Sequence, residues 1–251
     1  MENPDVLVFD LSNLMYIGAY VSGRGIENHP TADQQIYAAC REVMRRFYRQ
    51  FEPRQVIFAC DSSSYWRRDI YPDYKGHRPF NLLKQQVRAA VGIFKATHAD
   101  LCVEVPGCEA DDVIYAVTQQ VQGSVVIVSS DQDFVQLISD RIALFDPKYK
   151  QYRARPKKPE FSLFLKCIRG DSSDNIASAY PYVRTKQLQS AFQSQKHLDL
   201  LLNTTLKTGE TVRERYAFNR QLIDLSQIPV EYAIAVNAAV AGKLPVVANM
   251  C

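Results

Sequence analysis

The chain has 251 residues, 47% of them hydrophobic, and its 30 basic and 27 acidic residues leave a formal net charge of +3 at pH 7. That length is enough for one large domain, or for a core with a small appendage. No apolar run is long enough to span a membrane, the start is not a signal peptide, and the six cysteines form no CxxC pair. Composition therefore excludes a membrane span and a disulfide or zinc framework, and it predicts a reduced, cytoplasmic setting.

Short apolar runs alternate with longer segments of helical periodicity along the first two thirds of the chain. The predicted strands are 6–10, 56–61, 101–105, 124–131 and 142–146, and the predicted helices lie near 31–51, 80–97 and 110–122. This alternation predicts an α/β fold with a central, mainly parallel sheet flanked by helices.

The last third of the chain has a different pattern. Residues 147–160 are basic and rich in proline, which predicts a linker or an edge loop, and 160–242 is predicted to be mainly helical. We therefore divide the chain into a core over 1–160 and a helical region over 161–251.

Aspartates follow the predicted strands where each strand ends. Asp10, Asp61 and Asp131 stand at or just past the last apolar residue of three strands. Because parallel strands present their carboxyl ends at one edge of a sheet, these side chains are expected to converge. Asp146 also ends a strand, but the proline after it predicts a turn residue.

A denser group of acids, Glu109, Asp111 and Asp112, follows the strand at 101–105 and precedes a helical pattern. Carboxylates at a helix start cap free N–H groups and complement the helix dipole, so capping and metal binding are both open for this group. The same two interpretations apply to Asp171 and Asp174.

Taken together, nine carboxylates are candidate ligands for divalent cations: Asp10, Asp61, Glu109, Asp111, Asp112, Asp131, Asp133, Asp171 and Asp174. Hard oxygen ligands favour Mg²⁺ or Mn²⁺, and two such ions about 3.5–4 Å apart can clamp both oxygens of a phosphodiester displacement. Setting these acids aside leaves 18 acids against 30 bases. A basic body around an acidic pocket is typical of proteins that act on a polyanion.

The stretch 62–80 interleaves aromatic residues with cations. Trp66 and Tyr74 alternate with Arg67, Lys75 and Arg78. Such a pattern is typical of single-stranded or frayed nucleic acid binding, because bases stack on aromatic faces while cations meet phosphates. The alternative is a solvated loop whose aromatic residues, Trp66 above all, belong to the core.

Several motifs together resemble the 5′ nuclease family, which includes flap endonucleases, the 5′-nuclease domains of bacterial DNA polymerases and phage exonucleases. In chain order they are YPDYKGHRP, VPGCEADDVIYAV, SSDQDFVQL and IRGDSSDNI. The segment FNRQLIDLSQIP (218–229) is similar to the ribonuclease H of T-even phages. The resemblance runs from about residue 6 to 229.

The resemblance implies a PIN-like 5′ nuclease core with a helical arch over about 62–95 and a C-terminal helix–three-turn–helix element that binds DNA. It assigns a first metal site to Asp10, Asp61, Glu109 and Asp111. It assigns a second site to Asp131, Asp133 and Asp171. Asp112 lies between the two sites and Asp174 acts through water. The implied cofactors are two Mg²⁺ ions, for which Mn²⁺ can substitute.

The resemblance also implies a catalytic and substrate-binding role for the arch base. Lys75 and Arg78 would steady the charge that develops on the scissile phosphate, beside the catalytic aspartates Asp10, Asp61 and Asp131. Tyr74 would stack on a terminal base. For Arg67, the aromatic and basic pattern described above predicts contact with nucleic acid.

The chain departs from the family after GDSSDNI, where a glycine-rich hairpin normally holds a duplex phosphate together with a potassium ion. Tyr182 and Arg184 take glycine places here, whereas Lys186 keeps the lysine. Since glycine allows positive φ and close backbone approach, the departure disfavours a potassium site. It favours duplex anchoring by the side chains of Arg184 and Lys186.

The sequence thus predicts a metal-dependent 5′→3′ exonuclease and flap endonuclease that removes primers or flaps, in a bacterium or a phage-infected cell. The alternatives are a PIN-type endoribonuclease and a non-catalytic structure-specific DNA-binding protein. We expect a monomer whose partners are DNA with a 5′ flap or 5′ end and RNA–DNA hybrids, with a single-stranded-DNA-binding protein or a replication clamp as a protein partner and no membrane partner.

Overall fold

The computed structural model of the chain describes residues 1, 3–23, 31–78 and 81–244. Two compact units are distinguished. The first unit comprises Met1–Tyr65, Pro79–Ala154 and Pro229–Cys251, and the second comprises Trp66–Arg78 and Arg155–Ile228.

One sheet carries the first unit, and its described strands lie in the order β3-β2-β1-β4-β5-β6. The strands are β1 (Val6–Asp10), β2 (Gln55–Cys60), β3 (Cys102–Glu104), β4 (Val125–Val128), β5 (Ile142–Asp146) and β6 (Gln151–Tyr152). All neighbours are parallel except β6, which pairs antiparallel with β5. The register pairs Val8 with Ile57 on one side and with Ile127 on the other.

The helices complete the chain between and after the strands. In chain order they are α1 (Leu11–Val21), α2 (Ala32–Phe51), α3 (Trp66–Ile70), α4 (Leu82–Thr97), α5 (Ala110–Gln120), α6 (Pro159–Arg169), α7 (Thr185–Phe192), α8 (Gln195–Leu202), α9 (Val212–Ile223) and α10 (Val230–Ala241). In the part of the chain that the structure describes, no helix is both long enough and apolar enough to cross a bilayer.

The central strands β1 and β4 are buried along their whole length, as expected for a parallel sheet covered on both faces. Phe9 of β1 stacks on Phe58 of β2 with ring centroids 5.0 Å apart, and Phe94 of α4 meets Phe58 edge-on at 4.7 Å. Helix α1 packs so closely on α2 that Gly18 has no room for a side chain. A Cβ at this position would lie 2.9 Å from the carbonyl oxygen of Ile36. Glycine therefore sets this helix–helix distance.

The second unit has its own small core, contributed by α6 to α9 and the loop after α6: Phe164, Ile168, Ala179, Leu188, Leu202 and Val212. Asn219 of α9 is fully buried, and its Nδ2 donates to the carbonyl oxygens of Cys167 at 2.9 Å and Ala177 at 2.8 Å. One side chain thus fastens the loop after α6 to α9.

The predicted fold class is confirmed. The ends of three predicted strands shift by one to three residues, and three further differences stand out. Helix α1 was not predicted, since it follows β1 without an intervening turn signal. The predicted linker at 147–160 contains the edge strand β6. Helix α4, within the predicted arch region, contributes Val87, Ala90 and Phe94 to the core of the first unit. Residues 79–80 and the tail beyond 244 lie outside the described residues.

The division into units also differs from the predicted one at residue 160. Helix α10 belongs to the first unit, where the Nε2 of Gln120 on α5 donates to the Oδ1 of Asn237 at 3.0 Å. The segment Trp66–Arg78 groups instead with the helical unit. Both differences come from contacts between residues far apart in sequence, which local composition does not encode.

Candidate active site

Asp10 ends β1 and at the same time caps α1. Its Oδ1 accepts from the backbone N–H of Asn13 at 3.0 Å, and its Oδ2 accepts from the Oγ of Ser129 at 3.0 Å. The residue is buried, with 8% of its surface exposed. A carboxylate in this position is held in one orientation from two sides.

Asp61 follows β2 and joins two other elements of the first unit. Its Oδ2 accepts from the Oγ of Ser12 at 2.6 Å, and its Oδ1 accepts from the backbone N–H of Ala110 at 3.0 Å. The second bond connects the carboxyl end of β2 to the first turn of α5. The acidic segment beginning at Glu109 is therefore held next to Asp61.

The three acids at the start of α5, Glu109, Asp111 and Asp112, differ in burial and in their hydrogen bonds to the helix. Glu109 is the N-cap residue of α5. Asp112 is fully buried and completes a capping box with it, since the Asp112 Oδ2 accepts from the backbone N–H of Glu109 at 2.9 Å. Glu109 is itself buried and Asp111 is half-buried. Capping, one of the two interpretations left open by the sequence, is realised for Asp112, and the metal roles of all three stay predictions.

The segment after β4 brings Asp131 and Asp133 to the same edge of the sheet. The backbone N–H of Asp131 donates to the Oγ of Ser129 at 3.1 Å. The Oδ1 of Asp131 accepts from the backbone N–H of Asp133 at 2.8 Å. Since Ser129 also binds Asp10, one hydroxyl links the ends of β1 and β4.

Asp10, Asp61 and Asp131 lie close enough together for their charges to interact. Burial, and next the negative charge of Asp61, raise the pKa of Asp10 to about 7; Asp131 adds to the effect, and the hydrogen bonds from Asn13 and Ser129 oppose it. Carboxylates this close are hard oxygen donors whose repulsion a divalent cation relieves. The donor set of Asp10, Asp61 and Asp131 therefore fits a hard divalent cation.

Three polar residues that support this cluster were missed by sequence reasoning: Ser12, Asn13 and Ser129. Asn13 acts twice, since its N–H binds Asp10 and its Oδ1 accepts from the backbone N–H of Ser130 at 3.1 Å. The signal was present in the polar residues that directly follow the strands, in DLSN and SSD.

Asp146 is the last residue of β5, and its carboxylate holds the turn that follows the strand, so the predicted turn lies directly after it. It is fully buried and accepts from the Oγ of Ser130 at 3.0 Å, from the backbone N–H of Lys148 at 2.9 Å and from the guanidinium of Arg153. Burial alone would raise the pKa of Asp146, but these bonds outweigh burial and lower it. Its oxygens are thus engaged by protein donors.

In the second unit, Asp171 begins the 3₁₀ turn Ser172–Asp174. Its Oδ1 accepts from the backbone N–H and the Oγ of Ser173 at 2.8 and 2.6 Å, and its Oδ2 lies 3.4 Å from the Nζ of Lys166. Burial would raise the pKa of Asp171, but the bonds from Ser173 and the charge of Lys166 lower it. Asp171 is therefore an ionised, partly accessible carboxylate.

Asp174 collects three donors from the arch base. The Nη2 of Arg78 lies 2.6 Å from its Oδ1, while the hydroxyl of Tyr74 donates to its Oδ2 at 3.1 Å and the Nζ of Lys75 lies 3.9 Å from that oxygen. Lys75 has a left-handed backbone with a φ of 55°, and its N–H donates to the carbonyl oxygen of Asp174 at 3.0 Å. The two predicted catalytic cations are therefore gathered at one carboxylate.

The burial of three side chains corrects the interpretation of the stretch 62–80. Trp66 and Tyr74 are buried, so Trp66 belongs to the core and Tyr74 cannot stack on a base in this conformation. Arg67 is buried as well; its Nε donates to the carbonyl oxygen of Leu222 at 3.1 Å, and its guanidinium lies over the Trp66 ring at 4.3 Å. Arg67 holds the second unit together and does not present its charge to nucleic acid.

The hairpin before α7 also differs from expectation. Tyr182 takes a left-handed backbone with a φ of 65° although it is not glycine, and its side chain is fully exposed. Arg184 stands at the N-cap of α7 with an extended backbone, and Lys186 lies in the first turn; both are exposed. The left-handed conformation expected only with glycine therefore survives at Tyr182.

Comparison with known proteins identifies the class to which this fold and these acids belong. The family model of the 5'-3' exonuclease, N-terminal resolvase-like domain matches residues 5–161. The chain belongs to this family.

Two curated relatives and one solved structure illustrate the likeness. The chain is 29% identical over 195 residues to a 5'-3' exonuclease of Buchnera aphidicola subsp. Acyrthosiphon pisum, a match that covers 70% of this chain and 66% of that protein. It is 31% identical over 147 residues to the flap endonuclease Xni of Psychromonas ingrahamii, covering 56% of each. The matched part spans less than two thirds of either relative.

The solved structure is that of the bacteriophage T5 flap endonuclease in a pseudo-enzyme-product complex with DNA and metal ions. Its TM-score is 0.72 at 16% identity, and the match covers 95% of this chain and 98% of that one. At this identity the likeness shows a shared fold.

Proposed function

We propose that the chain is a divalent-metal-dependent 5′→3′ exonuclease and structure-specific flap endonuclease. It would hydrolyse phosphodiesters near the 5′ ends of DNA and of RNA–DNA duplexes. The observation that carries the proposal is the convergence of Asp10, Asp61 and Asp131 at the carboxyl edge of the parallel sheet. Burial, and next the charges of Asp61 and Asp131, raise the pKa of Asp10 there to about 7. Family membership and the DNA and metal complex of the T5 flap endonuclease support it.

The proposed cofactors are two Mg²⁺ ions, with Mn²⁺ as a substitute. Asp10, Asp61 and Asp131 would hold metal in the first unit, and Asp171 is the most accessible candidate in the second. Divalent cations, when bound, supply Lewis-acid activation of water and neutralise phosphate charge. The hydroxyls of Ser12 and Ser129 orient the carboxylates for that purpose.

Lys75 and Arg78 are the proposed stabilisers of the scissile phosphate. Their shared contact with Asp174 holds two cations in one place before a substrate arrives, which reduces the cost of organising them later. The left-handed backbone at Lys75 is consistent with such a role, since strained residues concentrate at functional sites.

The proposed biological role is removal of primers or flaps during replication, in the cytoplasm of a bacterium or of a phage-infected cell. The substrates would be DNA with a 5′ flap or a free 5′ end, and RNA–DNA hybrids. We propose a monomer, with a single-stranded-DNA-binding protein or a replication clamp as partner.

Product mapping tests this function directly. A labelled 5′ flap and an RNA-primed duplex are each incubated with the chain and Mg²⁺, and the products are sized. We expect cleavage near the 5′ end that needs Mg²⁺, and a loss of about 100-fold or more in Asp131→Asn. The matched control is Asp33→Asn, a carboxylate in the first turn of α2.

Three results would count against the proposal. They are binding of the flap without any cleavage, cleavage without Mg²⁺, and near wild-type cleavage by Asp131→Asn. The first would favour the non-catalytic DNA-binding alternative. Cleavage of single-stranded RNA in preference to both substrates would favour the PIN-type endoribonuclease.

A further inference from the structure

Tyr182 has a left-handed backbone conformation and a fully exposed ring, and neither feature stabilises the fold. Among the described non-glycine residues with positive φ, it is the one aromatic residue, and its φ is 65°. Its side chain is fully exposed, so the ring buries no surface in the second unit. A bulky residue pays a steric penalty in the left-handed region that glycine avoids.

The surroundings of Tyr182 indicate what the ring could contact. Arg184 and Lys186, two and four residues further on, are exposed cations at the N-cap and in the first turn of α7. The backbone N–H of Arg184 donates to the Oε1 of Gln187 at 3.2 Å, which fixes the start of the helix. An exposed aromatic ring beside cations is the combination that protein surfaces use to bind nucleic acids.

We propose that Tyr182 is a positioning residue that packs its ring against sugar and base edges in the minor groove of the bound duplex, next to phosphates held by Arg184 and Lys186. The inference rests on the proposed function and deepens it. An intact duplex offers no gap for stacking, whereas its minor groove exposes sugar faces and base edges to an apolar ring. Strain at an exposed position is then offset when DNA is bound.

The contact predicted for Tyr182 differs in kind from those of its neighbours. Removing a phosphate-binding cation lowers the dependence of affinity on salt by roughly one unit of slope per contact. Removing an apolar ring leaves that slope unchanged and lowers affinity at every salt concentration. The two kinds of contact can therefore be separated by one set of titrations.

The experiment measures binding of a fluorescent duplex carrying a 5′ flap by anisotropy, with Ca²⁺ in place of Mg²⁺, over a series of salt concentrations. The variants are Tyr182→Gly, Tyr182→Asn and Tyr182→Phe, and Arg184→Ala with Lys186→Ala. Glycine and asparagine tolerate positive φ, so thermal unfolding of these two variants is expected at or above the wild-type midpoint. Their affinity is expected to fall about fivefold with the slope unchanged.

Tyr182→Phe keeps the ring and is expected to bind as the wild type does. The double cation variant is expected to reduce the salt slope by about two. A merely structural role for Tyr182 would lower the unfolding midpoint in Tyr182→Gly together with the affinity.

Two outcomes would overturn the inference: wild-type affinity in Tyr182→Gly, or a loss of affinity that phenylalanine does not prevent. In both cases the wild-type chain would still bind and cleave the flap, so the proposed function would stand. If the wild-type chain neither bound nor cleaved the flap, the proposed function would fail and this inference with it.

Discussion

Asp10 shows at the scale of one residue how a fold prepares a site at the expense of its own stability. Its neighbours Asp61 and Asp131 carry the same charge, and burial removes the water that would screen them. The bonds from Asn13 and Ser129 offset only part of this cost, since the pKa stays raised at about 7. The protein without divalent cations is therefore expected to be less stable than its packing alone would make it.

We predict that Asp10→Asn raises the stability of the metal-free protein in a pH-dependent way. Below about pH 4 the carboxyl is protonated in the folded and unfolded chains, so the variant gains nothing. Between pH 4 and 7 the Asp10 carboxyl is ionised in the unfolded chain but stays protonated in the folded protein. The stability of the wild type therefore falls as the pH rises, and the gain of the variant over it grows until it levels off above pH 7. The pKa of the Asp10 carboxyl shifts from 3.8 to about 7 on folding, which sets the largest gain in the free energy of unfolding at about 4 kcal/mol. Urea unfolding with EDTA at pH 4, 6 and 8 measures it.

Asp146→Asn is the control, because the stability change expected at pH 8 has the opposite sign to that of Asp10→Asn. The pKa of Asp146 is lowered, so its ionised form stabilises the fold above the unfolded pKa and this contribution disappears as the pH falls. The variant is expected to be less stable than the wild type at pH 8, with the difference shrinking towards pH 3. If both variants were more stable than the wild type at pH 8, the stability gain of Asp10→Asn could not be assigned to the burial of its charge.

Lys75 and Arg78 both contact the carboxylate of Asp174, and their proposed role differs from that of ordinary phosphate anchors. We predict that Lys75→Ala or Arg78→Ala lowers the single-turnover cleavage rate about 100-fold and the flap affinity only severalfold, since their charge acts mainly in the transition state. Rapid-quench kinetics and anisotropy with Ca²⁺ give the two quantities. Arg46→Ala, an exposed cation of α2, is the control, and equal losses in rate and affinity would identify simple anchors.

At the scale of elements, the first turns of helices determine where the acids point. Asp10 caps α1 and also lies in the cluster with Asp61 and Asp131, so one residue performs both capping and the gathering of carboxylates. Asp61 joins the end of β2 to α5 through the N–H of Ala110. A cap is therefore part of the site, and the two interpretations of an acidic helix start do not exclude each other.

The segment before α7 is the element in which the sequence departs from the glycine pattern that the family resemblance implies. Because Arg184 and Lys186 are exposed there, we predict that duplex affinity does not change when K⁺ replaces Na⁺ at fixed ionic strength. Anisotropy titrations in the two salts measure this. A clear preference for K⁺, retained in the double variant Arg184→Ala with Lys186→Ala, would show that backbone oxygens around Tyr182 hold the ion despite the missing glycines.

At the scale of the whole molecule, metal binding and folding should be coupled. A cation that binds only the folded chain stabilises it by mass action, by about 2.7 kcal/mol at a concentration 100 times its Kd. We predict that Mg²⁺ raises the thermal midpoint of the wild type, and that Asp10→Asn and Asp131→Asn show a much smaller rise. Scanning calorimetry against NaCl of equal ionic strength tests this; an equal rise in all three proteins would place the stabilising ion elsewhere.

The sequence by itself determined the parts of this protein that depend on local pattern and chemistry. The strands 6–10 and 142–146 were predicted with their observed limits, because their apolar runs are bounded by polar residues and turns. The order of strands and acids was enough to predict that Asp10, Asp61 and Asp131 meet, since parallel strands present their carboxyl ends together. The family followed from the same motifs.

Tertiary structure alone decided which side chains face solvent and which elements form against distant partners. Trp66, Arg67 and Tyr74 look like a nucleic-acid surface in sequence, yet they are buried, because packing and the carbonyl of Leu222 satisfy them. Gly18 lets α1 approach α2 closely, and β6 pairs with β5 at the edge of the sheet. Burial and pairing are sums over contacts between distant parts of the chain, so no local pattern contains them.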